Sequence, residues 1–219
     1  MSLLSEDMRS RLTAIYSGVD RHYHDLRHIE TLLVLAQEHA REINDSEAIE
    51  AAIWFHDAVY NTRRDDNEAQ SAKLATELLA GLAADERLEF IAAMIRASAN
   101  HRIPTSMQLP AADDCALFLD MDLAILGSPA EEFAAYERAV RREYDWVPEK
   151  EWLVGRSRVL RNFLARPFIY ASPQFQHSHE AAARSNLKRS LALLDEGIDL
   201  TRTSPRDDGA CSGGRREPT

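Results

Sequence analysis

A histidine and an aspartate stand side by side inside an apolar stretch: His56 and Asp57 lie between AAIWF (51–55) and AVY (58–60). Burying a carboxylate without compensation costs several kcal/mol, so a sequence that places one beside tryptophan and phenylalanine should supply a cation, an ion pair or a metal. On a helix the two side chains would diverge by about 100° and share an ion only if it lay close between them. The pair indicates either part of a metal site or a core histidine hydrogen-bonded to a carboxylate.

Two further histidines, His24 and His28, are four residues apart. On one continuous helix they would share a face, as paired imidazole ligands often do. Asp25 is typical of an N-cap, however, which leaves His24 just outside the helix and places His28 in its first turn. His28 is then the better metal ligand, and the alternative is a capping turn that carries an exposed histidine.

Two carboxylates further along the chain, Asp120 and Asp122, are two residues apart, so on a helix only one of them can face a given site. The apolar residues three and four positions away are bulkier around Asp122, which predicts that Asp122 is the more deeply buried and is the ligand. Asp120 then either supports the ligands from behind or is solvated. His101 lies at the end of a predicted helix before Pro104, where interaction with the helix dipole is favoured over direct metal binding.

Apolar residues recur at helical spacing along most of the chain, and no convincing strand pattern occurs. The sequence therefore predicts an all-α, single-domain helical bundle over residues 1–200. From about Thr201 the composition shifts to small and charged residues that bury little surface, which predicts a disordered tail at 201–219. The predicted helices span 6–18, 26–42, 46–60, 68–82, 85–100, 112–126, 130–143, 149–165 and 179–197.

Length and charge exclude several classes of protein. The chain has 219 residues, 45% of them hydrophobic, which fits one domain with a full core better than two. A net charge of −10 provides no attraction for duplex nucleic acid or an anionic membrane. Two cysteines without Cys-x-x-Cys spacing, no signal-like N-terminus and no long uncharged stretch predict a soluble cytoplasmic protein. The oligomeric state stays open.

Four sequence segments resemble motifs of the HD-domain superfamily, which is named for its metal-binding His-Asp pair. They are YHDLRHI (23–29), WFHDAVY (54–60), DNEAQSA (66–72) and DMDLAILG (120–127). More closely, the chain looks like a group of small bacterial proteins described as predicted HD-type metal-dependent phosphohydrolases, over roughly residues 10–195. The resemblance implies an HD-type bundle with a metal between its helices. The implied ligands are those already singled out from the residues, His28, His56, Asp57 and Asp122.

This resemblance makes a hydrolase of a small phosphate ester, such as a nucleotide, the expected function, with a metal-bound water attacking phosphorus. Two histidines and two carboxylates suit Mn²⁺, Fe²⁺, Co²⁺, Ni²⁺, Zn²⁺ or Mg²⁺ without selecting among them, and one ion is expected. One alternative is a non-catalytic module in which the metal staples the helices and a nucleotide or protein partner is bound. Another is a two-iron oxygenase, as some HD-fold proteins are.

Asp57, as a ligand, and Glu68, as a proton donor, are the predicted catalytic residues. Asn67 and Gln70 have the spacing of a capping box, so this segment either only starts a helix or also brings Glu68 to the site.

Arginines near the C-terminal half, including Arg141 and Arg156, are candidate phosphate contacts, because a planar guanidinium binds phosphate in a bidentate manner. The plainer account makes them solvated or ion-paired with nearby glutamates such as Glu143. Residues 177–179, His-Ser-His, resemble a metal pair only superficially, and an exposed turn before the last helix is expected there.

Overall fold

The computed structural model describes residues 3–197, and over this range the chain is helical. It forms nine α-helices and one short 3-10 helix, with no strand among the described residues, so the all-α prediction is confirmed. The predicted tail at 201–219 lies outside the described residues. The helices are α1 Glu6–Tyr16, α2 Leu26–Glu38, α3 Ser46–Phe55, α4 Asn67–Leu79, α5 Asp85–Ser98, α6 Ala111–Asp122, α7 Ala130–Glu143, α8 Glu149–Leu164 and α9 Pro173–Asp195, and the 3-10 helix Ala124–Gly127 lies between α6 and α7.

Polar side chains at several helix starts determine where the chain enters a helix. Ser5, Asp45 and Ser172 each accept a hydrogen bond from the backbone N–H three residues later. Asp25 accepts from the N–H groups two and three residues later, which confirms the predicted cap and places His28 in the first turn of α2. Such caps satisfy donors that the first helical turn leaves without a partner.

Helix α3 lies at the centre of the bundle. Seven of its ten residues are buried, including Ile53, Trp54 and Phe55, and it packs against α1, α2, α4, α5 and α6. A helix that is apolar on nearly every side is stable only when protein surrounds it. Because His56 and Asp57 follow α3 directly, the burial of this helix carries both ionisable groups into the interior.

Gly127, the last residue of the 3-10 helix, allows a close approach to α9. A Cβ atom at this position would lie 2.8 Å from the Cβ and 3.0 Å from the backbone oxygen of His179. Only a residue without a side chain fits there. The segment that follows Asp122 is therefore packed directly on α9.

The predicted helix at 46–60 is too long, because α3 ends at Phe55. Beyond it the chain turns, and the Ser71 hydroxyl bonds both the N–H and the carbonyl of Val59, at 3.0 and 3.3 Å. The apolar run continues to Tyr60 because the turn is buried, not because it is helical.

The predicted last helix at 179–197 starts too late, because α9 begins at Pro173 with Ser172 as its cap. Proline lacks only an N–H that the first helical turn leaves unpaired in any case, so it opens this helix rather than breaking the chain before it. Residues 177–179 consequently lie within α9 and not in a turn.

Helix α9, with 23 residues, is the longest described helix and buries only one side, including Phe175, Leu187 and Leu194. Within residues 3–197, no helix combines the length and the apolar character needed to cross a membrane.

Candidate metal centre

The ends of three helices bring together the histidines and an aspartate. His28 lies in the first turn of α2, His56 is the C-cap of α3, and Asp122 is the last residue of α6. These three helices pack against one another. One nitrogen or oxygen atom of each residue lies within 4.8 Å of those of the other two. His28, His56 and Asp122, hereafter the metal group, could therefore hold a metal ion.

The two imidazoles face each other through their Nε2 atoms, which are 3.2 Å apart. Asp122 Oδ1 lies 3.2 Å from His28 Nε2 and 3.6 Å from His56 Nε2. Asp57 Oδ2 lies 3.1 Å from His56 Nε2 and 3.9 Å from His28 Nε2. Ligands that bind one ion at about 2.0–2.2 Å lie about 3 Å from one another, so these separations suit a shared ion. Asp57 is thus the fourth residue of the arrangement.

The second ring nitrogen of His56 determines which nitrogen faces the group. Nδ1 lies 2.9 Å from the carbonyl oxygen of Ile53, which only accepts hydrogen bonds, so Nδ1 carries a proton. The neutral ring then keeps its lone pair on Nε2, toward Asp57 and Asp122. Metal-binding histidines commonly have such a partner on the other nitrogen.

His101 contacts the oxygen of Asp122 that faces away from the two histidines. Its Nε2 lies 2.9 Å from Asp122 Oδ2, while Oδ1 is the atom near His28 and His56. His101 lies beyond the end of α5 with φ of 49°, a left-handed conformation that is uncommon outside glycine. In addition to the helix-dipole interaction predicted for it, His101 thus makes a side-chain contact that orients Asp122.

Burial and short distances between charged groups shift the pKa values of the ionisable residues at the site. Burial opposes the ionised form of Asp57, but His56 and His24 outweigh it and hold its pKa below the ordinary value. The pKa of Asp122 is well below its ordinary value because contacts with His101, His28 and His56 outweigh burial. Burial likewise opposes charge on His56, yet Asp57 and Asp122 raise its pKa well above the usual value. The two carboxylates therefore retain negative charge inside the protein, as a cation site requires.

The prediction that Asp122 is buried more deeply than Asp120 is wrong. Asp120 is 1% exposed, whereas the Asp122 side chain is 13% exposed. Asp120 accepts hydrogen bonds from the backbone N–H groups of Ala171 and Ser172, at 2.7 and 2.6 Å, and so ties α6 to the start of α9. Comparing neighbours on the same helix could not detect these distant donors. Asp120 is neither solvated nor within the metal group.

Arg21 holds the turn that follows His56. Its guanidinium donates to the carbonyl oxygens of His24 at 2.8 Å, Asp57 at 2.9 Å and Ala58 at 3.2 Å. His56, the C-cap of α3, still has helical backbone angles, and its Nε2 lies 3.1 Å from Asp57 Oδ2 all the same. Arg21 was not among the residues predicted from the sequence, because its spacing from Asp57 matches no known motif.

Glu143, at the end of α7, organises the segment before α2. It is buried, and its Oε1 accepts hydrogen bonds from the backbone N–H groups of His22, Tyr23 and His24, at 2.8, 2.7 and 3.0 Å. Its Oε2 accepts from His24 Nδ1 at 2.6 Å and from the Tyr60 hydroxyl at 2.8 Å. The expected pairing of Glu143 with arginine is replaced by these contacts, because the buried carboxylate meets five donors from two distant segments.

His24 lies beside the metal group without belonging to it. Its Nδ1 is hydrogen-bonded to Glu143, and its ring packs against that of Tyr60, with centroids 4.5 Å apart and planes tilted by 31°. Burial alone would lower the pKa of His24, but Asp57 and Glu143 outweigh burial and raise it. His24 is therefore a neighbour of Asp57 whose pKa is raised, rather than a member of the three-residue group.

A cavity of about 1290 Å³ opens beside the metal group. His56, Asp57 and Asp122 line it, together with His24 and Glu68 from other segments. Several aromatic side chains line it as well, among which the rings of Tyr23 and Tyr136 lie 4.6 Å apart. The volume accommodates a ligand of nucleotide size.

The predicted capping box at the start of α4 does not form. The N-cap is Asp66, and its side chain makes no capping hydrogen bond. Asn67 instead bonds the backbone of Asn61, with Oδ1 accepting from the N–H and Nδ2 donating to the carbonyl, both at 3.0 Å. This clamp holds the loop before α4, and Glu68, one residue later, lines the cavity.

Of the two arginines predicted to contact phosphate, Arg156 lines the cavity and Arg141 does not. Arg141 donates to the backbone carbonyls of Tyr144 at 2.6 Å and Val147 at 3.3 Å. Arg156 lines the cavity but pairs with the buried carboxylate of Glu137 and donates to a tyrosine hydroxyl at 3.0 Å. Arg156 is thus ion-paired, as the plainer account expected, but its partner Glu137 lies 19 residues earlier in the chain, on α7.

No protein-family model, no curated protein and no solved structure matches this chain.

Proposed function

We propose that this protein is a metal-dependent phosphohydrolase that acts on a small phosphate ester. The observation that carries the proposal is the convergence of two imidazole Nε2 atoms and two carboxylates, of which His56, Asp57 and Asp122 line a cavity of about 1290 Å³. The likeness of the His-Asp phrases to HD-type phosphohydrolases supports the same reaction.

The donor set fits a divalent transition metal or Mg²⁺. Two imidazoles and carboxylate oxygens without a thiolate form a hard to borderline set, which suits Mn²⁺, Fe²⁺, Co²⁺, Ni²⁺, Zn²⁺ or Mg²⁺. His28, His56 and Asp122 would hold the ion, with Asp57 beside them. When bound there, such an ion polarises a phosphoryl oxygen and lowers the pKa of a water molecule.

The protein's own groups supply orientation and proton transfer. Glu68 lines the cavity and is our candidate for donating a proton to the leaving oxygen. His24, which Glu143 holds by Nδ1, helps to lower the pKa of Asp57 and so favours its ionised form. His101 keeps Asp122 turned with Oδ1 toward the histidines. Aromatic side chains of the same cavity, including Tyr23 and Tyr136, offer stacking surfaces for a planar group such as a nucleobase.

One observation favours a second candidate, a non-catalytic module. The metal group joins the ends of three helices, so an ion held there would cross-link α2, α3 and α6 and stabilise the fold. In that case the cavity would bind a nucleotide or protein partner without turnover.

Metal content and phosphate release, measured on the same preparations, test the proposal. Protein purified without chelator or histidine tag is analysed by mass spectrometry, then assayed with p-nitrophenyl phosphate and nucleotides in Mn²⁺. We expect about one ion per chain and phosphate release, with both lost in Asp122→Asn. Asp65→Asn is the matched control, because Asp65 lines the same cavity outside the metal group.

Metal binding without turnover on any phosphate ester would favour the non-catalytic module. Absence of metal even after loading with Mn²⁺, in a folded protein, would refute both candidates.

A further inference from the structure

The arginines of the cavity wall differ in how their charge is balanced. Arg64 pairs with Asp66, and Arg156 pairs with Glu137. For Arg102 and Arg166, no carboxylate partner occurs between residues 3 and 197. The four arginines that line the cavity are Arg64, Arg102, Arg156 and Arg166.

Arg166 is held in place by neutral groups. Its Nη1 donates to the carbonyl of His101 at 3.1 Å and its Nη2 to that of Asn100 at 2.7 Å. The guanidinium carbon lies 4.5 Å from the centre of the Phe163 ring. Its Nε is buried and has no hydrogen-bond partner in the described part of the chain. The side chain is therefore oriented while its positive charge stays uncompensated.

Arg102 adds a second positive charge to the same cavity wall, one residue after His101, whose carbonyl accepts from Arg166. Arg102 is exposed. Burial, and then the charge of Arg102, lower the pKa of Arg166. Two guanidinium groups on one cavity wall repel each other, and an anion between them relieves that repulsion. Planar guanidinium groups bind phosphate through paired, charge-assisted hydrogen bonds.

One residue, His101, contacts both Arg166 of the arginine pair and Asp122 of the metal group. The carbonyl of His101 accepts from Arg166, and the ring of the same histidine contacts Asp122. Arg102, Arg166, Asp57 and Asp122 line one cavity, so a single small molecule inside it can contact both groups.

We propose that Arg102 and Arg166 bind a second phosphoryl group of the substrate, while the first lies at the metal group. The proposal rests on the proposed function for the role of the metal end. It narrows the substrate class to small molecules that carry two phosphoryl groups, and the arginine pair discriminates these from monophosphates.

The test compares the binding of two non-hydrolysable probes, methylenediphosphonate and methylphosphonate, to the Mn²⁺-loaded full chain by isothermal titration calorimetry, with equal Mn²⁺ in syringe and cell. We expect the diphosphonate to bind more tightly. Arg102→Gln should reduce the affinity ratio by about 10- to 100-fold, as expected for the loss of a charge-assisted contact. Arg64→Gln is the matched control, because Arg64 lines the cavity with its charge already paired, and it should keep the ratio.

A ratio that Arg102→Gln leaves unchanged, or that both variants reduce equally, would overturn the proposal. Arg166→Gln also removes hydrogen bonds to the backbone of residues 100 and 101, so its result counts only if its metal content and thermal unfolding match those of the wild type.

Neither probe needs turnover, so this test is separate from that of the proposed function. If the protein binds no metal, inorganic phosphate is titrated into the full chain in EDTA. Binding that Arg102→Gln weakens at least 10-fold would then support the arginine pair although the hydrolase had failed. Binding that Arg102→Gln leaves unchanged, or no binding to wild type, would refute the arginine pair as well.

Discussion

Replacing Glu143 with glutamine tests whether a buried charge holds the segment before α2. In the wild type, burial opposes ionisation, but His24 and backbone N–H donors outweigh it and lower the pKa of Glu143 from 4.5 to about 2. A fall of this size corresponds to about 3 kcal/mol of stability when the carboxylate is ionised. We therefore expect Glu143→Gln to lower the free energy of unfolding at pH 7 by about 3 kcal/mol.

The difference in unfolding free energy between wild type and Glu143→Gln should decrease as the pH falls. A carboxylate whose pKa is lower in the folded state stabilises the protein above its unfolded pKa, here 4.5, and loses this contribution as pH falls toward about 2. The difference between wild type and Glu143→Gln should therefore be constant from pH 7 to about pH 5 and fall to about half by pH 3. Urea unfolding followed by circular dichroism, in EDTA to exclude metal, measures it.

Glu77→Gln provides a matched control for Glu143→Gln. Glu77 lies on a helix with its side chain 61% exposed, and among residues 3–197 its one ion-pair partner is Lys73, at 3.7 Å. Its removal should cost less than about 1 kcal/mol. Our reasoning would be refuted if Glu143→Gln cost no more than this control, or if its cost did not change between pH 7 and pH 3.

Three further substitutions test other contacts. His101→Ala should weaken metal binding about 10- to 100-fold with little loss of helicity, measured by competition with a chelating dye, because an orienting partner of a ligand is removed; unchanged affinity would contradict that role. Glu137→Gln leaves the buried Arg156 without its carboxylate and should lower unfolding free energy by about 3–5 kcal/mol in urea, whereas a cost under about 1 kcal/mol would show that the pair contributes little. Gly127→Ala forces a Cβ to within 2.8 Å of His179 and should cost about 1–3 kcal/mol, and a neutral result in thermal unfolding would mean that α9 shifts freely.

Local signals in the sequence were sufficient for much of the fold. The apolar spacing predicted the helices, and Asp25 correctly marked the start of α2. The errors occurred where local chemistry allows two outcomes. Pro173 is compatible with either a break or a helix start, and the apolar run after Phe55 with either a helix or a buried turn. In each case contacts with distant residues selected one outcome.

For the candidate site, the sequence by itself determined the residue types and the burial of the His-Asp pair. His56 and Asp57 follow the apolar helix α3, and a helix that is apolar on nearly all sides must lie inside the protein. Such a pair needs compensation whatever surrounds it, so the prediction of a ligand cluster did not depend on the rest of the fold.

Only the tertiary structure decided which groups orient the cluster. Glu143 meets backbone donors about 120 positions earlier in the chain, and His101 contacts a carboxylate 21 positions later. Arg166 reaches the carbonyl of His101 across 65 positions. A hydrogen bond depends on distance and direction between atoms, and sequence spacing fixes neither once the chain has turned between helices. The packing of α2, α3 and α6 is therefore what converts separate ionisable residues into one site.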